Sequence, residues 1–572
     1  MKNNLESLIR TSKKISFFSP YLILGTTVLF LHLPLSHAGF IIDDPQYVWF
    51  SARNSIYNIF FDPPTYMYIN PSNFTPMLGL TFKIDSYFFK ANPTGYNLHS
   101  FLSLFLTASM LYVFLRLYAS RIAAFCGTIL FIVNPATVAV TGWLSTRHYI
   151  EGMFWALLTL YLVKTHDREN LKKSRYILSG ITYLIASLYK EVYVILPAVA
   201  FLILNGSVYE RFKKILPLWM GLLIYIPYRI YMLGGRVGGY PGSVWNMEGI
   251  IENFFKLPYI TLNLLFGKFW FIAALFLVGL SVAFLIKKGF YSYSMIFVAY
   301  SILVSPIVIL SNPSSWLIDK MTIRYVFHIT TFLIIVVIMG IGLLFKKRFL
   351  YIGFLSVMFF SMLGLWYHKG IEVRDLYKKY RDDTMVDVIN LVKNKDKKYI
   401  ISTAPRLYNL NWYFNGIKKM YNYFYDLKID TKVVFLDTLK YHTPELIQDV
   451  LNNTSIDDSV KKNLSEEISI FQRNLKEGPL MIDASWDGYW FIWNFGPPEK
   501  GNFCVLFRRT DELYSLSYCV PHKGRYYFPP NFADTLYFRV SGRLFTGEEV
   551  LSPEFMVEFP SKGNFKYKSY EG

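Results

Sequence analysis

The chain has 572 residues, 53% of them hydrophobic and 19% aromatic, with a mean hydropathy of +0.28. So much apolar surface excludes an ordinary soluble globular protein and indicates a membrane protein. The formal net charge of +19 is not a nucleic-acid footprint, because Lys and Arg fall in short clusters between apolar runs, where the positive-inside rule puts them.

Lys2, Arg10, Lys13 and Lys14 precede an apolar stretch from Ile15 to Leu35. Ser36-His37-Ala38-Gly39 resembles a signal cleavage site. The stretch is long enough to span, however, and more spans follow, so it reads as an uncleaved first helix with a cytosolic N-terminus. Further apolar runs begin near Leu98, Ile122, Tyr149, Tyr176, Val192, Ile215, Pro258, Tyr291, Val326 and Phe349, which makes about eleven helices in all. Loops on the N-terminal side are basic: Arg116 and Arg121, Lys164 to Arg175, Arg211 to Lys214, Lys287 and Lys288, Lys346 to Arg348. Opposite loops hold Asp43, Asp44, Asp62, Asp85, Glu248 and Asp319. This alternation places the loop 40–96 and everything after Trp366 outside the cytosol.

The expected domains are a membrane domain, 1–367, and an extracytosolic α+β domain, 368–572. In the tail, 382–393 and 444–475 have helical period. From Leu480 the pattern alternates and is rich in Tyr, Phe and Val, as strands require. Trp486, Tyr489, Trp490, Trp493 and Phe495 form a dense aromatic run, read as a domain core in preference to a sugar-stacking surface. Of three cysteines, Cys126 lies in an apolar run and reads as packing. Cys504 and Cys519 flank Asp511-Glu512, so a hairpin there would set them opposite each other, as a disulfide or as two thiols.

The chemistry centres on Asp43-Asp44-Pro45, which directly follows the first span. Carboxylates at the mouth of a bilayer segment are costly and seldom incidental. One can accept a proton while its neighbour orients a substrate or raises the first one's proton affinity through like charge. The plain alternative is an exposed acidic loop start. Arg147, Lys190, Arg229 and Arg324 fall at outer helix ends and suit a phosphate, although each could instead snorkel to the interface. Glu191 reads as a structural ion-pair partner or as a complement to a helix dipole. His99 and His148 have no metal-site spacing and read as satisfied polar groups. No Walker loop, GxSxG elbow, CxxC pair or HExxH helix occurs in the sequence. Gly234-Gly235-Arg236-Val237-Gly238-Gly239 reads as an outer loop.

Five patches together resemble the C-type (GT-C) membrane glycosyltransferases. The protein O-mannosyltransferase-like branch and the membrane half of the tetratricopeptide-bearing transmembrane proteins are the nearest in pattern. The patches are Asp43-Asp44; Asn92-Pro93-Thr94-Gly95-Tyr96; Asn134-Pro135 with Trp143-Leu144-Ser145-Thr146-Arg147; Lys190-Glu191 with Leu196-Pro197; and Arg324-Tyr325. The resemblance covers about residues 15 to 365 and omits the tail. Thr75-Pro76, Val138 and Asn97 depart from the family pattern, which bears on donor and acceptor specificity.

The resemblance implies an inverting transfer of a monosaccharide from a polyprenyl-phosphate donor to a hydroxyl of a protein Ser or Thr, or of an envelope glycan or lipid. It makes Asp43 the general base and Asp44 its partner, with Arg147, Arg324 and Lys190 on the donor phosphate. It implies no covalent intermediate. Some members of the fold class use a divalent metal and others do not, and an acidic pair without a third nearby ligand favours none. The partners implied are the lipid-linked sugar, the acceptor and the bilayer, with no nucleic acid. A bacterial inner membrane fits the Lys- and Asn-rich loops. The sequons Asn73-Phe74-Thr75 and Asn463-Leu464-Ser465 matter only in a eukaryotic secretory setting. Two other classes stay open: a flippase for lipid-linked glycans, which predicts inverted repeats with broken helices, and a scaffold for which Asp43 and Asp44 are dispensable.

Overall fold

The computed structural model describes residues 19–70, 73–169, 173–233, 258–287, 320–344, 348–402 and 410–435, and the helices and strands named below between 439 and 568. The N-terminal basic residues, the segment 234–239, the run from Tyr291, Glu248 and Asp319 lie outside the described residues.

Proline punctuates the helical part. Pro45, Pro76, Pro93, Pro135 and Pro197 each sit in the first turn of a helix, where the missing N–H costs nothing. Asn92 and Asn134 cap their helices by accepting from Thr94 N and Ala136 N. At Asn134-Pro135 the helices Arg121–Val133 and Pro135–Gly142 meet with a 52° bend. The second helix thereby ends at Gly142, and the segment 143–147 turns toward the first outer loop.

Among the described residues, five helices are long and apolar enough to cross a membrane. They are Pro93–Leu115, Leu216–Leu233, Pro258–Ile286, Ile323–Ile341 and Tyr351–Lys393, and the bent pair makes a sixth if it is one span. Five, or six with the bent pair, of the expected eleven spans thus meet that test among the described residues. Other apolar runs do form helices but fall short. Ser19–Leu35 and Glu191–Ile203 are short, Lys173–Tyr189 has 17 residues, and His148–Glu169 carries Glu151, Lys164, Asp167, Arg168 and Glu169.

The expected boundary at 367/368 falls inside one helix, Arg348–Lys393, of 46 residues. At 1.5 Å per residue it is about 69 Å long, more than twice the roughly 30 Å of a hydrocarbon core. It therefore carries the chain from the apolar helices into the tail without a break. There β1 (Tyr399–Ser402) pairs in parallel with β2 (Lys432–Phe435). Helices Leu410–Tyr425, Pro444–Asn452 and Asp458–Asn474 accompany them. The sequence reading missed the first of these helices, whose aromatic content masked its helical period.

The strands follow: β3 (Met481–Trp486), β4 (Trp490–Gly496), β5 (Asn502–Arg509), β6 (Ser515–Val520), β7 (Lys523–Tyr527), β8 (Thr535–Arg543), β9 (Glu549–Leu551), β10 (Phe555–Glu558) and β11 (Gly563–Lys568). They form two antiparallel sheets, ordered β11-β3-β4-β7 and β10-β8-β5-β6, with β9 on β8. Trp486, Trp493 and Phe495 are buried with Phe491, Phe503, Phe507 and Phe538, so these members of the aromatic run are core. Cys504 stands opposite Cys519 in the β5–β6 register, as the expected hairpin requires. The Cys519 side chain lies outside the described residues.

The first outer loop is not free-standing. Its helix Asp44–Arg53 shares a core with the tail: Tyr47, Val48, Trp49 and Phe50 pack with Val388, Leu391, Tyr413, Phe414, Ile417 and Met420. A Cβ at Gly416 would lie 2.9 Å from Gln46 N, so glycine there lets the helix Leu410–Tyr425 close onto the loop. Lys419 Nζ donates to the Tyr68 hydroxyl at 2.6 Å. The tail thus forms one wall of the region that holds the acidic pair.

Candidate active site

The acidic pair sits on a constrained turn. Ile42 has φ 49°, a left-handed conformation that strains a β-branched residue by about 1–3 kcal/mol. The turn is closed by Asp44 N donating to Ile41 O at 2.9 Å and Ile41 N donating to Asp44 Oδ2 at 3.0 Å. It sends the two neighbouring carboxylates to different environments.

Asp44 is fully buried. Its Oδ1 accepts from Ser145 N at 2.8 Å, and its Oδ2 lies 4.0 Å from Arg381 Nη2. Arg381, also fully buried, donates through Nη1 to Asn97 Oδ1 at 2.9 Å. Asn97 Nδ2 donates in turn to Ser36 O and Ala38 O, just before the turn. Asp44 therefore pins the loop to the helix that enters the tail.

Asp43 is partly exposed. Its Oδ1 accepts from Trp143 Nε1 at 3.0 Å and from Ser145 Oγ at 2.8 Å. Burial raises its proton affinity above the usual carboxylate range, opposed by the Ser145 and Trp143 hydrogen bonds and by the charge of Arg324. For Asp44, burial pushes the pKa up to about 7; Arg381 opposes this and Asp43 adds to it. Both carboxyls thus hold protons more firmly than an exposed aspartate, which suits proton transfer near neutral pH.

A cationic wall flanks Asp43. The Arg324 guanidinium carbon lies 4.2 Å from the centroid of the Trp143 ring and 4.4 Å from that of Tyr325. Its Nη2 donates to the Tyr325 hydroxyl at 2.9 Å. The indole of Trp143 therefore touches the anion through its edge and the cation through its face. Lys190 stands with its Nζ 5.3 Å from the Tyr149 ring centroid and donates to Asn73 Oδ1 at 3.3 Å. Next to it, Glu191 Oε1 accepts from Phe74 N at 3.3 Å and from Arg229 Nε. The Lys190-Glu191 pair thus clasps the segment Asn73-Phe74 of the first outer loop.

Arg147 occupies a different place. It is fully buried, with Nη1 2.7 Å from Asp85 and Nε 2.9 Å from Glu151. His99 bridges the same two carboxylates, with Nδ1 2.6 Å from Asp85 and Nε2 3.5 Å from Glu151. Ser103 Oγ donates to Glu151 at 3.2 Å. This network ties the helices Pro76–Phe89, Pro93–Leu115 and His148–Glu169 together beneath the acidic loop. The Arg147 guanidinium is thus held by two carboxylates and sealed from solvent.

The fold therefore gathers Asp43, Asp44, Arg324 and Lys190 around the segment 143–149 and sets Arg147 behind it. Sequence reading assigned no role to Trp143 or Ser145, although both lie in a quoted patch, and it missed Arg381. A tryptophan beside a small polar residue after a proline-broken helix is a weak signal. Arg381 has none, because it lies in the tail 337 positions from Asp44 (381 − 44). Among the described residues, no group of three or more His, Cys, Asp or Glu side chains is arranged to hold a metal ion.

Residues 73–231 match the family described as dolichyl-phosphate-mannose-protein mannosyltransferase, less than half of the chain. Over that stretch the match bears out the resemblance to C-type glycosyltransferases. The stretch includes Asp85, Arg147, Lys190 and Glu191 and omits Asp43, Asp44, Arg324 and Arg381. No curated protein matches the chain. Among solved structures, the chain is similar to the archaeal oligosaccharyltransferase AglB of Archaeoglobus fulgidus in complex with an inhibitory peptide and a dolichol-phosphate: 12% identity, 85% of this chain and 74% of that one, TM-score 0.47. It is likewise similar to the Archaeoglobus fulgidus oligosaccharyltransferase in complex with Zn and sulfate: 13% identity, 87% and 73%, TM-score 0.46. The apo form of the latter gives 12% identity, 90% and 76%, TM-score 0.46.

Proposed function

We propose that the protein is an integral-membrane glycosyltransferase that moves a monosaccharide from a polyprenyl-phosphate donor to an acceptor hydroxyl on the outer face of the membrane. The acceptor is a protein Ser or Thr, or an envelope glycan or lipid. The observation that carries this reading is the shared use of Trp143. Its edge holds the Asp43 carboxylate and its face carries Arg324, so a base and a phosphate-binding cation are fixed on one side chain.

In this reading Asp43 takes the acceptor proton as its oxygen attacks the anomeric carbon. The bond from that carbon to the phosphate oxygen breaks on the opposite face, which inverts the centre. The electron pair goes to the phosphate oxygen, where Arg324 and Lys190 stabilise the added charge. Asp44 orients Asp43 through the turn and through Ser145, which binds both carboxylates. Arg147 keeps the supporting helices in register. The N-terminus is cytosolic and the tail extracytosolic, at a bacterial inner membrane.

The test is sugar transfer in membranes carrying the wild type or Asp43→Asn, with glycoproteins and glycolipids profiled by mass spectrometry. Asn can still accept from Trp143 and Ser145 but cannot take the proton. Loss of a base of this kind costs about 10²–10⁴-fold. One defined glycan should disappear while protein level and insertion stay unchanged. An unchanged profile would remove the catalytic role of Asp43 and favour the flippase or scaffold.

A further inference from the structure

His148 opens the helix after the Trp143–Arg147 segment, and the proposed reaction leaves it unused. Its Nδ1 lies 2.8 Å from the Ser145 carbonyl oxygen. A carbonyl only accepts, so the proton sits on Nδ1 and the lone pair on Nε2. Ser145 is also the residue that binds Asp43 and Asp44, so the imidazole is fixed in the same frame as the base. The ring packs on Tyr149, centroids 4.6 Å apart, and Tyr149 carries Lys190 on its ring. His148 is only 8% exposed, and among the described residues its Nε2 has no hydrogen-bond partner.

A buried acceptor left unpaired is costly, and native proteins seldom leave one without a reason. Here the vacant atom is a lone pair. An anionic phosphate oxygen would be repelled by it, whereas a hydroxyl can donate to it. Burial above all, and then the charges of Lys190 and Arg324, disfavour its protonation, which preserves the lone pair.

We propose that His148 Nε2 accepts a hydrogen bond from a hydroxyl of the donor's sugar, close to the carbon that bears the phosphate. This rests on the glycosyl-transfer reading above and deepens it. The cations take the phosphate, His148 takes the sugar, and Asp43 waits on the acceptor side. The bond makes His148 a specificity residue for the sugar rather than for the lipid.

The experiment uses the full chain in lipid nanodiscs, with two probes: polyprenyl phosphate without sugar, and a panel of polyprenyl-phosphate hexoses. The variants are His148→Phe, which keeps a ring on Tyr149 and removes both the Nε2 acceptor and the Nδ1–H bond to Ser145 O, and His148→Gln, which restores an acceptor oxygen. Removing one hydrogen-bond partner of a buried hydroxyl is worth about tenfold or more. We expect His148→Phe to raise the KM for the hexose donor at least tenfold, to change the affinity for bare polyprenyl phosphate less than twofold, and to lower the melting temperature only by the loss of the bond to Ser145 O. His148→Gln should recover part of the loss. Equal weakening of both probes, or no weakening of either, would overturn the sugar contact while leaving transfer by the wild type intact. Failure of the wild type to transfer any hexose in the panel would overturn the transfer reading, and the sugar contact with it.

Discussion

The buried pair Asp44–Arg381 makes an asymmetric prediction. At 4.0 Å, two unit charges attract by about 4 kcal/mol at an effective dielectric of about 20. Removing either partner forfeits that attraction, but the partner left behind has unequal means of relief. Asp44 already has its pKa pushed up to about 7 by burial, so without Arg381 it can take a proton at neutral pH and become neutral. Arg381 cannot lose its proton in any accessible range. Asp44→Asn should therefore approach the about 3–5 kcal/mol of an orphaned buried charge at pH 8, where Asp44 is ionised. Arg381→Gln should cost about 1–2 kcal/mol at pH 7, chiefly the hydrogen bond to Asn97. The double variant, with no buried charge, should be more stable than Asp44→Asn alone, giving a coupling of about 2 kcal/mol or more in a double-mutant cycle. Thermal unfolding of the detergent-solubilised full chain, followed by tryptophan fluorescence at pH 6 and pH 8, measures all four species. The loss from Arg381→Gln should be larger at pH 8, where protonating Asp44 costs more. Equal losses from the two single variants, or strict additivity in the double, would refute the argument that these charges face each other across a dry interface.

Trp143→Phe keeps a ring face for Arg324 and deletes the N–H that holds Asp43, so kcat should fall about tenfold, one charge-assisted hydrogen bond, with donor KM within twofold. Trp143→Ala should also raise KM, and equal KM values for the two variants would show that the Arg324 contact has no part in donor binding. In a pH–rate profile, Asp43 acts only when ionised, and burial raises its proton affinity and that of Asp44. Transfer should therefore increase with pH through a limb well above the usual carboxylate range, with apparent values that belong to the pair. A limb near pH 4 would show that neither carboxyl of the pair is the base.

Much of the helical plan was legible because its signals are local. Prolines and capping asparagines mark helix starts one residue at a time, and apolar runs mark membrane segments over about twenty residues. The count of spans was not legible, because a run reads alike whether the helix crosses the bilayer or bends at Asn134-Pro135. The tail's strands and its aromatic core were legible by their period of two. The expected boundary at 367/368 falls within the helix Arg348–Lys393, which passes from apolar to polar residues without any break in backbone geometry.

For the site, the residues of Asp43, Lys190 and Arg324 were visible because carboxylates and cations at the ends of apolar runs are rare and costly. Arg147 looked equivalent to them in sequence, since exposure and burial share the same letters. Their surroundings differ only once the chain is folded. The tertiary structure placed Asp85 and Glu151 on Arg147, stacked Arg324 on the indole that binds Asp43, and brought Arg381 from the tail to Asp44. The sequence by itself determined which charges enter a membrane protein and near which helix ends they lie. Which charge meets which is set by long-range packing, and in a dry interior it is the partner that decides whether a charged side chain is support or machinery.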